Sequence, residues 1–291
     1  MKNSKTLAVL FLLAVLLGAG CGTKEAAPEP VKQVADAADM AEITEVTEPW
    51  MVPLGPDCLM PGSYPVTVDS SSSMFRITAC TLTVEEGRMT AEMTMGGTGY
   101  RCVFPGTGEE AARAGEADVI PYTEGAAGEN IFTVPVPALD EGVPLAAISK
   151  KKELWYDRTL CFRSDSLPLD AFRPNVLKTP ANLGLKDGRY LAEVRLAGGS
   201  GRGSVTSPAE LTVEAGQCTA LIQWSSPNYD YMKVGDAMFY PVNEGGNSAF
   251  VIPVSCFDRG LSVLADTTAM SQPHEIAYTL VFDASTIEER P

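Results

Sequence analysis

Apolar and polar residues alternate in short blocks along most of the chain: PGSYPVTV (61–68), TLTVEEGRMTAEM (81–93), FTVPVPALDEG (132–142), RTLCF (158–162), DGRYLAEV (187–194), ELTVEAGQCTALI (210–222), FVIPVSCFDRG (250–260) and YTLVF (278–282). A period of two sends successive side chains to opposite faces, which is the pattern of half-buried antiparallel strands. The blocks are rich in Val, Thr, Ile and Tyr and are bounded by Gly, Pro, Asp or Asn, so each reads as a strand ended by a turn. EEGR and EAGQ predict hairpins between consecutive strands. Only EEAARAGEA (109–117) predicts a short helix.

The blocks recur. TLTVEEGRMTAEM and ELTVEAGQCTALI share seven of thirteen positions, and four blocks return in the same order at offsets of 118 to 129 residues. A period of that length predicts a duplicated domain, not a solenoid. Seven or so strands per copy predict an all-β protein of two tandem immunoglobulin-like β-sandwiches. The boundaries expected are 51–173 for copy one, 174–186 for a linker and 187–291 for copy two.

The N-terminus changes the picture. Lys2 and Lys5 precede an apolar run over 7–17 that ends in small residues and Cys21. That run is too short to cross a bilayer and has the form of a secretory signal. LGAGC (17–21) resembles the bacterial lipobox, with Gly18 where leucine is usual, so Cys21 is the expected lipidation site of a signal peptide spanning 1–21. Residues 22–50 predict a disordered acidic tether, because 22–49 hold seven acids, two lysines and no aromatic residue. The expected location is the extracellular face of the cell membrane.

Net charge is −15, which repels phosphate backbones and argues against nucleic acid. Six cysteines follow Cys21 without any CxxC spacing, so no zinc site is suggested, and both disulfides and thiols stay open. The single histidine, His274, allows no HExxH motif and no histidine cluster. GGSGRG (198–203) has no helix after it to receive a phosphate. A binding protein is therefore expected in preference to an enzyme.

Candidate binding residues gather in copy two. His274, Ile276, Tyr278, Leu280 and Phe282 share one strand face. His274 then stands at the rim of the core, as a ligand or as a backbone cap. Met270, four residues before it, is a soft donor or a gap filler. In QWSSPNYDYMKVG (223–235), alternation puts Tyr229 and Tyr231 on one face and Met232 with Val234 on the other. If the latter face the core, the two tyrosines are displayed.

DGRYLAEVRL, SPAELTVEAGQCTALIQW, FVIPVSCFDRGLSVLAD and HEIAYTLVFD, in that order, resemble the NEAT (near-iron transporter) domain of Gram-positive surface proteins over 183–285 and, less closely, 58–165. The resemblance implies haem held between the last hairpin and a lip segment near a Ser-Met pair. It implies Tyr278 as the ring lying on the porphyrin and His274 in the place of the axial tyrosine, a role histidine can fill. Copy one has Ser73 and Met74 at the lip, but Leu154 and Arg158 in place of His274 and Tyr278. Copy two has Arg202, Gly203 and Ser204 at the lip. A weaker resemblance to streptococcal surface haem-binding proteins implies methionine ligands, for which Met74, Met232 and Met270 are the candidates. Lys150, Lys151 and Lys152 could meet haem propionates.

The expectation is a lipid-anchored protein that binds haem, or another iron compound, mainly in copy two. It would pass this cargo to a haemoprotein or an ABC-type transporter. The alternative is a non-enzymatic immunoglobulin-like module that binds a protein or glycan through the Tyr229 and Tyr231 face.

Overall fold

A computed structural model describes residues 33–36, 39–269 and 274–290. The signal segment, Cys21, the tether up to residue 32 and Met270 lie outside the described residues. The described residues belong to one compact unit. No helix among the described residues is long and apolar enough to cross a membrane.

The protein is all-β, built from four antiparallel five-stranded sheets. The first ten strands are β1 (Gly62–Pro65), β2 (Val68–Ser70), β3 (Ile77–Glu85), β4 (Arg88–Met95), β5 (Tyr100–Phe104), β6 (Ile120–Pro121), β7 (Thr123–Glu124), β8 (Asn130–Pro135), β9 (Val143–Ser149) and β10 (Trp155–Phe162). They form one sheet in the order β1-β3-β4-β8-β7 and another in the order β2-β10-β9-β5-β6. The second ten are β11 (Gly188–Ala192), β12 (Val194–Gly198), β13 (Ala209–Glu214), β14 (Gln217–Gln223), β15 (Tyr229–Val234), β16 (Ala237–Phe239), β17 (Ala249–Pro253), β18 (Leu261–Thr267), β19 (His274–Phe282) and β20 (Glu288–Arg290). Their orders are β17-β14-β13-β11-β20 and β12-β19-β18-β15-β16.

Each pair of sheets encloses its own core. Phe75, Leu82, Met93, Phe132, Leu145 and Phe162 fill the first, and Leu211, Ile222, Trp224, Phe250, Phe257 and Phe282 the second. The alternation of the sequence blocks supplies these residues: in β4 and β14 every second side chain is buried. The predicted hairpins form at Gly87 (φ 71°) and at Ala215 and Gly216 (φ 50° and 77°). The predicted helix is α1 (Gly108–Arg113), started by a capping box between Thr107 and Glu110.

Three expectations are corrected. Residues 33–36 and 39–50 do not stand free as a tether: Val34 pairs with Trp155, and Ala35 and Val46 are buried. Burial of these few apolar side chains outweighs the acidic composition of the segment. The linker is not a free spacer either. Val176 and Leu177 pack on the first core, Leu183 and Leu185 on the second. Finally, YTLVF, the last of the alternating blocks and so the last strand expected, is followed by β20, which closes the edge of the opposite sheet beside β11.

Candidate functional site

Equivalent ends of the two pairs of sheets are built on one plan and finished differently. In each, a tyrosine opens the strand that follows the β3–β4 or β13–β14 hairpin: Tyr100 in β5, Tyr229 in β15. A bulge follows it in both strands, between Tyr100 and Cys102 and between Tyr229 and Tyr231. Each tyrosine hydroxyl meets a buried side chain from the long strand β10 or β19, Arg158 in the first pair at 3.2 Å and Tyr278 in the second at 3.1 Å.

In the second pair this end is closed. Trp224 stacks on Tyr229 at 4.1 Å between ring centroids and lies 5.0 Å from Tyr278. Its Nε1 donates to the sulfur of Met232 at 3.3 Å. The glycine-rich loop seals the cluster from above. A Cβ on Gly203 would lie 3.0 Å from the Tyr229 hydroxyl and 3.3 Å from that of Tyr278, and one on Gly199 only 2.4 Å from the Tyr278 ring. Only residues without side chains approach so closely. Burial, then the bond to Tyr278, pushes the Tyr229 phenol well above its ordinary value.

This arrangement corrects the expected display of Tyr229 and Tyr231. Tyr229 is buried, because the bulge after it breaks the period of two and turns it inward with Met232. Tyr231 stays on the outer face, where its hydroxyl donates to Glu275 at 2.7 Å and Glu275 also holds Lys233. Met232 is fully buried under Trp224 and so is not exposed to a ligand. His274 begins β19 opposite Thr267 and is exposed, whereas Tyr278, Leu280 and Phe282 of the same face enter the core. The structure thus joins Tyr229, Tyr278 and Met232 in a packed interior and leaves His274 apart from them.

In the first pair the same end is open. A cavity of about 450 Å³ lies between the Ser73 and Met74 segment and the β9–β10 hairpin, lined also by Arg76, Tyr100, Tyr156 and Arg158. Its size falls within the range of small-molecule sites. Met74 is 68 % exposed at its rim, while its backbone carbonyl accepts from the Tyr100 hydroxyl at 3.4 Å. Phe75 backs Tyr100 at 5.2 Å between ring centroids. Among the described residues, Arg76, Lys151, Lys152 and Arg158 face one carboxylate, Asp39, around the cavity, and Lys152 lies 3.5 Å from Asp39. Lys150 turns elsewhere, 4.2 Å above the ring of Tyr122. A cationic cavity in a chain of net charge −15 focuses anions against the sign of the whole molecule.

Arg158 is the functional candidate that composition and periodicity pass over. Arg158 is only 6 % exposed, and its guanidinium lies 5.2 Å over the Tyr156 ring. The alignment of RTLCF with YTLVF carries the signal, since it sets an arginine in the core position that Tyr278 occupies.

A second cavity, of about 220 Å³, lies where the two pairs of sheets meet. Most of its charged lining is already satisfied: Ser164 donates to Asp140, Arg163 pairs with Asp165 and Lys178 with Asp258, while Arg259 bonds two carbonyls through Nη2 and leaves its Nε without a partner. It reads as an interface space. The cysteines Cys58, Cys80, Cys102, Cys161, Cys218 and Cys256 are free thiols, and no group of three or more His, Cys, Asp or Glu side chains among the described residues could hold a metal ion.

No protein-family model and no curated protein matches the chain.

Proposed function

We propose that the protein is a lipid-anchored surface protein that captures haem as cargo, and that it does so in the open end of the first pair of sheets. On this reading the two pairs are tandem copies of one immunoglobulin-like, NEAT-like sandwich, anchored through Cys21. The open copy binds, and the closed copy serves as scaffold. Support for duplication comes from the matching orders β1-β3-β4-β8 and β11-β13-β14-β17 and from the Tyr100–Arg158 and Tyr229–Tyr278 pairs at equivalent places.

The observation that carries the proposal is the cavity itself. It combines aromatic walls from Tyr100 and Tyr156, an exposed thioether at Met74 and four cationic side chains. Haem presents a flat apolar face, an iron that accepts a thioether, and two carboxylates. The residues fit each part: the rings flank the porphyrin, Met74 offers sulfur to iron, and the cations receive the carboxylates. An open site with a modest hold suits a relay, since cargo must leave to reach a haemoprotein or a transporter.

The test is a haem titration of the mature protein followed by absorbance. A shifted Soret band is expected, altered in Met74→Ala and unchanged in His274→Ala. No shift in the wild type overturns the proposal, and loss of the shift in His274→Ala alone would move the site to the second pair of sheets.

A further inference from the structure

We infer that Arg158 is the specificity-determining residue of the open cavity, a buried receptor for a carboxylate of an aromatic ligand. This deepens the haem reading, on which it rests for the place of binding, by naming the group that the site selects.

Arginine carries five N–H donors on a permanent charge. In Arg158, Nη1 donates to the carbonyl of its neighbour Asp157 at 2.6 Å and Nη2 to the Tyr100 hydroxyl at 3.2 Å. Nε is buried and has no hydrogen-bond partner. The third contact is the face of Tyr156. A carbonyl, a hydroxyl and a ring hold this guanidinium, and none of the three is an anion. The neighbouring carboxylate of Asp157 is committed elsewhere, accepting from the backbone N–H of Gly108 at 2.6 Å.

Arg163, five residues along the same chain segment and partly buried, shows what an arginine satisfied by the chain looks like here. It meets Asp69 at 3.1 Å and Asp165 at 2.6 Å. Burying a charge without a counter-charge is costly, and the cost is relieved when an anion completes the pair. Arg158 lines the cavity, so a ligand can supply what the chain supplies to Arg163. A carboxylate matches a guanidinium edge through two parallel hydrogen bonds. The aromatic walls select a ligand whose carboxylate is attached to a flat apolar body. Lys151, Lys152 and Arg76 at the rim raise the local concentration of anions but, being exposed, contribute little selectivity.

The closed second pair supplies the control. Tyr278 occupies the equivalent position and bonds the equivalent tyrosine, so Arg158→Tyr substitutes a residue this architecture already accepts. Four probes are titrated into the full mature chain: haem, haem dimethyl ester, 1-pyrenebutyrate and its methyl ester. In the wild type each acid is expected to bind about tenfold or more tighter than its ester. In Arg158→Tyr and in Arg158→Gln that ratio falls to about one. The Lys150→Gln variant, whose side chain turns away from the cavity to lie over the ring of Tyr122, keeps the ratio. Equal binding of acids and esters by the wild type, an unchanged ratio in Arg158→Tyr, or no binding of either acid overturns the inference. Haem failing to bind while pyrenebutyrate shows the Arg158-dependent ratio overturns only the haem reading. Haem and its dimethyl ester binding alike overturns only the role of Arg158.

Discussion

The hydroxyls of Tyr229 and Tyr278 lie 3.1 Å apart inside the second pair of sheets, each the other's hydrogen-bond partner. Trp224 and the glycine loop exclude water from both. Removing one hydroxyl therefore strands the other. Tyr278→Phe is expected to cost about 1–3 kcal/mol of stability, the penalty for an unpaired buried hydroxyl. The Tyr229→Phe, Tyr278→Phe double variant should recover part of that loss, because both partners then go together. Urea unfolding of the three variants measures the coupling. Additive losses would show that the hydroxyls do not depend on one another.

The hairpin between β13 and β14 places a non-glycine residue, Ala215, at φ 50°, directly before Gly216 at φ 77°. Two consecutive positive φ values suit Asn-Gly, and alanine in this region is strained by about 1 kcal/mol. Ala215→Asn is accordingly expected to stabilise the protein by about 0.5–1 kcal/mol. Its thermal midpoint should rise with no change in ligand binding. An unchanged or lower midpoint would mean that the turn tolerates alanine without strain.

Strands and hairpins were legible in the sequence because alternation and turn residues are local signals. FTVPVPALDEG and FVIPVSCFDRG even pointed to one backbone device: Asp140 and Asp258 both adopt positive φ, 56° and 53°. Each accepts a backbone N–H after the long strand, from Ser164 and from Ala284. The candidate site was less legible. A single bulge residue after Tyr229 carries no compositional mark, yet it reverses the face of every residue before it. Closure of one end and opening of the other depends on what a glycine loop and the Met74 segment do at long range, which periodicity does not encode. β20 has no local signal, because Glu288, Glu289 and Arg290 show no alternation of apolar residues; pairing with β11 alone makes them a strand.

Burial pushes the thiols of Cys80 and Cys161 up to about 12 and that of Cys218 up to about 11, from an ordinary value of 9.0. For Cys80 and Cys161 nearby carboxylates, Glu92 and Asp140, add to the burial effect. The folded state holds these protons more tightly than the unfolded chain does. Their contribution to stability is full below about pH 9 and is lost as pH rises through about 11–12. At pH 8 a disulfide reagent should leave all three unmodified in the folded protein and label them on unfolding. Stability should fall between pH 8 and 10.5, less steeply in a Cys80→Ala, Cys161→Ala, Cys218→Ala variant. Rapid labelling of the folded protein would contradict this.

Arg259 joins the two pairs of sheets. From the turn before β18, its Nη2 donates to the carbonyls of Ser164 and Leu167 at 2.5 and 2.8 Å, and its guanidinium lies 4.8 Å over the ring of Phe172. All three residues follow β10 of the first pair, so one side chain ties the cores to each other. Arg259→Ala leaves two carbonyls without that donor and removes the cation from the ring, an expected loss of about 1–3 kcal/mol. The loss should fall on coupling, since neither core loses an apolar contact. In calorimetry the wild type is expected to unfold in one transition and Arg259→Ala in two, the earlier one belonging to whichever core is intrinsically weaker. Ligand binding in the cavity beside Arg158 should persist up to the transition of the first core. A single, merely shifted transition would show that the packed linker residues Val176, Leu177, Leu183 and Leu185 couple the cores without Arg259.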